Sequence, residues 1–160
     1  ETALMAVVEV LRRLRPSIVI ANAKSDRHPD HGRASELVSR ACFLSGLSKI
    51  KTVDNQSGLA QEAWRPRSVY FTIQDRWREP DFVVDIEGFE EIKSRAIMAY
   101  TTQFYGGVDD NAPVTPISSP DFLDYLKSRD LAMGRLGGVG IGEGFEAERP
   151  PVVNDLFHLA

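Results

Sequence analysis

The stretch that decides the fold is residues 17–38, SIVIANAKSDRHPDHGRASELV. Its IVI run at 18–20 is uninterrupted and β-branched, which is typical of a strand covered on both faces in a parallel sheet. Residues 2–15 before it and 34–47 after it place their apolar side chains at helical spacing. The order helix, buried strand, helix predicts an α/β fold.

The rest of the sequence continues this alternation. Short apolar runs predict strands at 68–74 and 82–84, and helical patterns follow at 88–104 and from Ser119 onward. The stretch 106–116 is rich in Gly, Pro, Asp and Asn, which indicates a loop. The glycine-rich stretch 134–145, GRLGGVGIGEGF, indicates a flexible connector and lacks the residues of a phosphate-binding loop.

Helices that alternate with buried strands predict a doubly wound, mostly parallel, Rossmann-like α/β sheet. The three predicted strands are fewer than the usual five or so. A helical pattern also begins at once after Glu1, which is not an initiator methionine. We therefore expect the fold to be N-terminally truncated, with residues 1–160 forming the C-terminal portion of a single domain.

Composition narrows the possible partners. The chain has 160 residues, of which 42% are hydrophobic, and a formal net charge of −4. Its 19 basic residues are spread along the chain, whereas a nucleic-acid-binding surface needs them clustered. No apolar run approaches the roughly 18 residues that cross a membrane, and no secretion signal stands at the start. We expect a cytoplasmic protein that binds neither nucleic acid nor membrane.

Cys42 is the one cysteine of the chain. It can form no intrachain disulfide and no thiolate metal cluster within the chain. It lies in an apolar helical pattern with Val38 and Ala41, which favours a small buried thiol over a reactive one.

The candidate site is the stretch 26–33, DRHPDHGR, where His28 and His31 flank Asp30. This stretch follows the first strand directly, and ligands of open α/β sheets bind beyond the carboxyl ends of the strands. Two imidazoles and a carboxylate could bind a metal, act as general acid and base, or orient a metal ligand. The alternative is a polar loop in which Asp30 or His31 caps the next helix.

A catalytic zinc site usually takes about three protein ligands and one water. His158 is the remaining histidine, and it lies in an apolar C-terminal stretch that favours a structural role. The other ligands would have to be carboxylates or groups from outside the chain.

Four segments together resemble the LmbE-like, PIG-L-type zinc N-deacetylases. They are RHPDHGRASELV at 27–38, RPRSVYFTIQ at 65–74, TPISSPDFLDYL at 115–126 and GEGFEAERPPVVNDLF at 142–157. The resemblance extends over residues 13–159 and is greatest to the branch that deacetylates N-acetylglucosaminyl-malate in bacillithiol biosynthesis. It implies a Rossmann-like fold whose His-Pro-Asp-Asp motif, with the other zinc ligands and the general base, is expected before Glu1.

The resemblance also assigns roles to residues of this chain. It implies that His31 is a zinc ligand and that protonated His28 stabilises the oxyanion of the reaction. Asp30 would orient His28 and keep it charged, and Arg27 would pair with a substrate carboxylate. Arg65 would line the pocket, although a surface cation beside a strand is an equally good interpretation. The implied cofactor is Zn²⁺, with other divalent metals possible, and the implied assembly is a homo-oligomer.

The function implied is zinc-dependent hydrolysis of the acetamide of an N-acetylglucosamine conjugate. Two alternatives stay open: another substrate that contains N-acetylglucosamine, and a non-catalytic Rossmann-like binding domain. We expect the 160-residue chain alone to be inactive, since most of the metal ligands would be missing.

Overall fold

The computed structural model describes residues 2–104 and 115–159, so most of the loop expected at 106–116 lies outside the described residues. The described ranges contain four α-helices, four strands and a short 3₁₀ helix at Leu156–Leu159. The helices are α1 (Thr2–Leu14), α2 (Pro29–Ser45), α3 (Glu90–Met98) and α4 (Phe122–Gly137), and the strands are β1 (Ile18–Ala21), β2 (Ser68–Thr72), β3 (Phe82–Asp85) and β4 (Gly142–Ala147). None of these helices is long and apolar enough to cross a lipid bilayer.

The strands form one open sheet in the order β1-β2-β4-β3. β1 and β2 are parallel, with Ala21 opposite Phe71, whereas β2 and β4 are antiparallel, with Thr72 opposite Phe145. The α/β fold expected from the sequence is confirmed, and the antiparallel pair makes the sheet mixed. The chain divides into two compact units, Glu1–Asp81 with Phe145–Ala160, and Phe82–Gly144.

The core of the first unit packs α1 and α2 against β1 and β2. Val8, Ala41 and Phe71 are almost completely inaccessible to solvent. Cys42 is buried in the same cluster, as its sequence pattern predicts. Burial raises the pKa of its thiol to about 11, with a further contribution from the Glu148 carboxylate, so the thiol stays protonated at neutral pH.

Arg12 is buried beneath the end of α2. Its Nε donates to the carbonyl of Ser45 at 3.0 Å and its Nη2 to the carbonyl of Leu47 at 2.9 Å. Its Nη1 donates to the Ile50 carbonyl and to the Thr52 hydroxyl, both at 2.8 Å. One guanidinium thereby ties the end of α2 to the following loop, and it supplies the donor for the Ile50 carbonyl and the Thr52 hydroxyl.

β1 is covered on one face. Ala21 is buried, but Ile18 is 56% exposed and Ile20 is 59% exposed. Alternate side chains of a strand point to opposite faces, and within the described residues β1 pairs with β2 alone. The expectation of a first strand covered on both faces is therefore wrong for this structure, because helices pack on one side of this edge strand.

The glycine-rich stretch 134–145, predicted to be a connector, includes the end of α4 and the first four residues of β4. A side chain at Gly142 would place its Cβ 2.5 Å from Val83 Cγ1, and one at Gly134 would place its Cβ 2.7 Å from the Ile141 Cα. These glycines allow β3, α4 and the start of β4 to approach closely. The prediction of a flexible connector is wrong, because Gly134 and Gly142 are needed for close packing and not for flexibility.

The second unit contains α3 and α4. α3 has no buried residue, and it is shorter than the helix predicted at 88–104. Phe89, Ile92 and Tyr100 are exposed. The helical spacing from Ser119 onward predicts that Leu126 and Met133 of α4 face inward, and both are buried. Neither helix contributes a residue to the stretch 26–33, which lies in the first unit and runs from the loop after β1 into α2.

Candidate functional site

The second half of the candidate stretch 26–33 forms the first turn of α2. This helix begins at Pro29, not at residue 34 as predicted. Proline fits the first helical position, because its ring presets the helical φ and no N–H is needed there. His28 is the N-cap: its backbone is extended, and its Nδ1 accepts the backbone N–H of Asp30 at 3.3 Å. His28 therefore performs the capping that the sequence suggested for Asp30 or His31.

The first turn of α2 packs on the loop that precedes it. A side chain at Gly32 would place its Cβ 3.1 Å from the carbonyl oxygen of Lys24. The loop after β1 and the helix start are therefore one packed unit, and the glycine of DRHPDHGR permits their approach.

Asp26 and His31 form the shortest side-chain contact of the site. Nδ1 of His31 lies 2.5 Å from Oδ2 of Asp26, whose side chain is 1% exposed. Oδ1 of Asp26 accepts the backbone N–H of Asp75 at 3.0 Å and that of Arg76 at 2.9 Å. Asp26 therefore joins the loop after β1 to the loop after β2, at the carboxyl ends of two parallel strands.

Opposing effects act on the pKa of Asp26. Burial raises the pKa, but hydrogen bonds from the backbone N–H of Arg76, from the His31 ring and from the backbone N–H of Arg27 outweigh it. The result is a pKa below the usual range for Asp, so the carboxylate stays charged at neutral pH. A charged acceptor holds the proton of His31 on Nδ1 and leaves Nε2 as the nitrogen that can bind a metal.

His28 stands beside His31 at the mouth of the site. The ring centroids are 5.3 Å apart, and the side chains are 53% and 33% exposed. The Asp30 carboxylate is 4.0 Å from His28 Nδ1 and 3.2 Å from Arg33 Nη1, so it makes an ion pair with Arg33 and no hydrogen bond with His28. The backbone of Asp30, not its carboxylate, orients His28 in this structure.

The two predicted arginines lie in different places. Arg27 Nε donates to Asp75 Oδ2 at 2.8 Å, so Arg27 belongs to the site and its charge is already balanced. Arg65 instead donates to the carbonyl of Phe43 at 3.0 Å and covers its ring. Phe43 follows His31 by twelve residues on α2, or roughly 18 Å along the axis. The structure does not bring Arg65 to the histidines.

Among residues 2–104 and 115–159, no three His, Cys, Asp or Glu side chains form a group that could hold a metal. His31 nevertheless meets the requirements for one ligand, since metal-bound histidines usually give their second ring N–H to a carboxylate. Sequence reasoning missed Asp26, although it opens DRHPDHGR. Its spacing from His31 follows neither helical nor strand periodicity, and only the fold brings the two together.

A scan against protein-family models finds none that matches this chain. Among curated proteins, the chain is 28% identical over 141 residues to a diacetylchitobiose deacetylase of Thermococcus kodakarensis. The match covers 86% of this chain and 47% of the relative, so the chain spans about half the length of that enzyme.

Solved structures show the same fold. A conserved protein of Thermus thermophilus matches with a TM-score of 0.75 and 28% identity, over 95% of this chain and 60% of that one. An N,N'-diacetylchitobiose deacetylase of Pyrococcus horikoshii, solved with an inhibitor, matches with a TM-score of 0.69 and 21% identity. The match covers 93% of this chain and 51% of that one. A 4-carboxy-2-hydroxymuconate hydratase of Pseudomonas putida matches with a TM-score of 0.67 and 20% identity, over 97% of this chain and 61% of that one. The chain is therefore similar in sequence to a diacetylchitobiose deacetylase and shares its fold with deacetylase and hydratase structures.

Proposed function

We propose that this chain is part of a metal-dependent N-deacetylase that hydrolyses the acetamide of an N-acetylglucosamine-type substrate. The observation that carries the proposal is the 2.5 Å contact between buried Asp26 and His31, the arrangement expected behind a metal-binding histidine. The similarity to a diacetylchitobiose deacetylase supports the reaction class. Because the same fold also occurs in a hydratase, the site must decide the reaction.

His31 would hold the metal through Nε2. A bound divalent metal, zinc in this proposal, lowers the pKa of a coordinated water to about 7 and polarises the acetyl carbonyl. His31 supplies one ligand, so the complete site needs ligands from outside the described residues. Asp26 fixes the ring of His31 from behind and keeps its proton on Nδ1.

His28 would stabilise the negative charge that develops on the acetyl oxygen. Because its Nδ1 accepts the backbone N–H of Asp30, a neutral His28 carries its proton on Nε2 and can donate it without rearrangement. A protonated His28, as the family resemblance implies, would turn Nδ1–H toward the Asp30 carboxylate, 4.0 Å away. In both forms Nε2–H is the donor, and loss of one such donor typically lowers the rate about a hundredfold or more.

The finer substrate proposal is N-acetylglucosaminyl-malate in bacillithiol biosynthesis, with a diacetylchitobiose-type compound as the alternative. The malate carboxylates would need a cation, and Arg27 is the one the resemblance offers. Its ion pair with Asp75 at 2.8 Å means that the substrate would compete for a guanidinium that is already neutralised. The similarity to a chitobiose deacetylase favours the alternative, so the two substrates must be compared directly.

The test uses the whole protein encoded by the reading frame to which this chain belongs. Acetate release is measured with N-acetylglucosaminyl-malate, diacetylchitobiose and N-acetylglucosamine, and bound metal is measured by atomic emission. His31→Ala should abolish stoichiometric metal binding and turnover. His158→Ala, which changes an exposed histidine of the C-terminal 3₁₀ helix, is the matched control and should change neither.

Three results would decide against parts of this proposal. Unchanged metal content in His31→Ala would remove the ligand assignment. Equal rates on N-acetylglucosaminyl-malate and N-acetylglucosamine would remove the bacillithiol assignment. If the metal-loaded whole protein released acetate from none of the three compounds, a non-catalytic binding domain would be the better interpretation.

A further inference from the structure

A second cleft lies in the first unit, remote from the histidines. It has a volume of about 400 Å³ and is formed by the C-terminal half of α2, the residues that lead into β2 and the residues that follow β4. This size is within the range of small-molecule pockets, about 300–1,000 Å³. The cleft includes Phe43, roughly 18 Å along α2 from His31, so a molecule bound there would not reach the candidate site.

The side chains that line this cleft are strongly basic. Four arginines face it, with one carboxylate, that of Glu148; the arginines are Arg40, Arg65, Arg67 and Arg149. The cleft is therefore positively charged, although the chain as a whole carries a formal net charge of −4. Positive charges that line one cleft repel one another, and an anion bound among them reduces this repulsion.

No carboxylate of the described residues forms an ion pair with these arginines. Arg40 and Arg67 have no ion pair or side-chain hydrogen bond within residues 2–104 and 115–159. Arg65 and Arg149 donate to the carbonyls of Phe43 and Arg67, which carry no charge.

Glu148, the one acid of the cleft, accepts a hydrogen bond from the hydroxyl of Ser39. Its carboxylate makes no ion pair within the described ranges, so at most one of the four positive charges is offset by the lining itself. A net charge of about +3 is suited to a ligand that carries two or more negative charges.

Arg65 is held in place before any ligand arrives. Its guanidinium carbon lies 4.6 Å from the centre of the Phe43 ring. A side chain at Gly46 would place its Cβ 2.4 Å from Arg65 Nε, so glycine is what lets Arg65 lie across the end of α2. An arginine with a fixed, planar fork loses little conformational freedom when it binds an anion.

We propose that this cleft is a binding site for a small phosphate-bearing molecule, separate from the deacetylase site. Planar guanidiniums bind phosphate oxygens bidentately, and a phosphate group carries up to two of the charges that the cleft would balance. The cleft would use Arg40 and Arg67 as mobile clamps and Arg65 and Arg149 as fixed donors.

Calorimetric titration of the whole protein with inorganic pyrophosphate tests this proposal. The variant Arg40→Gln/Arg67→Gln should bind pyrophosphate at least about tenfold more weakly, since each arginine supplies a charge-assisted contact. Arg95→Gln/Arg135→Gln removes the same charge from exposed positions on α3 and α4 and should bind like the wild type. Thermal unfolding of each variant confirms that it is folded.

Two further titrations distinguish binding in this cleft from binding at the metal and from general attraction of anions. Pyrophosphate can bind a metal, so the titration is repeated with His31→Ala, in which affinity should be unchanged; loss of binding there would place the anion at the metal and overturn the proposal. Citrate at the same concentration should bind more weakly, and equal affinity would overturn the assignment to phosphate. Equal affinity of the cleft and control variants, or no binding to the wild type at millimolar pyrophosphate, would also overturn it.

Discussion

His31 Nδ1 lies 2.5 Å from Oδ2 of Asp26, a carboxyl group that is almost completely buried. The other oxygen of Asp26 is held by the backbone N–H groups of Asp75 and Arg76. The orientation of His31 therefore depends on an anion that two loops fix from opposite sides. This relationship makes Asp26 a residue through which metal binding and local stability can be separated.

Asp26→Asn should weaken zinc binding to the whole protein by about 10- to 100-fold, because an amide is a weaker, uncharged partner for a metal-bound histidine. The amide oxygen can still accept both backbone N–H groups, so the free energy of unfolding should fall by only about 1–2 kcal/mol. Competition with a chromophoric chelator measures the zinc affinity. Glu36→Gln, an exposed change on α2, is the control, and wild-type zinc affinity in Asp26→Asn would refute the role of Asp26.

His28 has a capping role and a proposed catalytic role, and two substitutions distinguish them. Asparagine is a good N-cap, so His28→Asn should keep the stability of α2, whereas His28→Ala should lose about 1 kcal/mol. Both variants should retain zinc and lose about a hundredfold or more in acetate release. Urea denaturation and the acetate assay measure the two effects. Full activity in His28→Asn would show that His28 acts through helix capping alone.

Arg12→Met should lower the free energy of unfolding by about 3 kcal/mol or more. The substitution removes the four hydrogen bonds that Arg12 donates beneath α2. The Ile50 carbonyl and the Thr52 hydroxyl lose their donor, and each buried unpaired acceptor costs about 1–3 kcal/mol. Arg13→Met is the neighbouring control: Arg13 bonds exposed Asn55, and such contacts are worth about 1 kcal/mol or less. Equal midpoints of urea unfolding for the two variants would contradict this account.

Cys42 should resist thiol reagents in the folded protein. With a pKa of about 11, roughly one thiol in a thousand is ionised at pH 8, and burial blocks access. In the unfolded protein the pKa of the thiol should be near its ordinary value of 9.0, so the thiol should react readily with a disulfide reagent. The linkage has a defined sign: the folded state holds the proton more tightly, so the stability due to this proton is complete below pH 9 and decreases toward pH 11. Rapid labelling of native protein at pH 8 would be the contrary result.

The sequence predicts the elements whose patterns are local. The IVI run identifies β1, and the spacing of Leu126 and Met133 identifies the inward face of α4. Ile18 and Ile20 are exposed because, among the described residues, helices cover only the other face of β1, and no local pattern encodes this. β4 was missed for a similar reason, since Gly142 is required by the approach of Val83.

In the candidate site, too, some residues can be predicted from local sequence and others only from the fold. His28 and His31 are identified by their spacing and their position after a strand. Asp26 becomes visible only when Asp75 and Arg76 are brought to it by the pairing of β1 with β2. The roles assigned by resemblance to His28, Asp30 and His31 stay predictions, and the placement of Arg65 links it to a different cleft.

The hydrogen bonds of Asp26 also bear on how the chain finds its correct sheet. β1 and β2 pair with Ala21 opposite Phe71, and Asp26 meets the backbone of Asp75 only in that register. A slip of two residues would displace one loop by roughly 7 Å and leave a buried carboxylate without its donors, which is a costly state. Asp26 therefore serves as a check on strand pairing: its contact with His31 and its two backbone donors are made together only when β1 and β2 pair in the correct register.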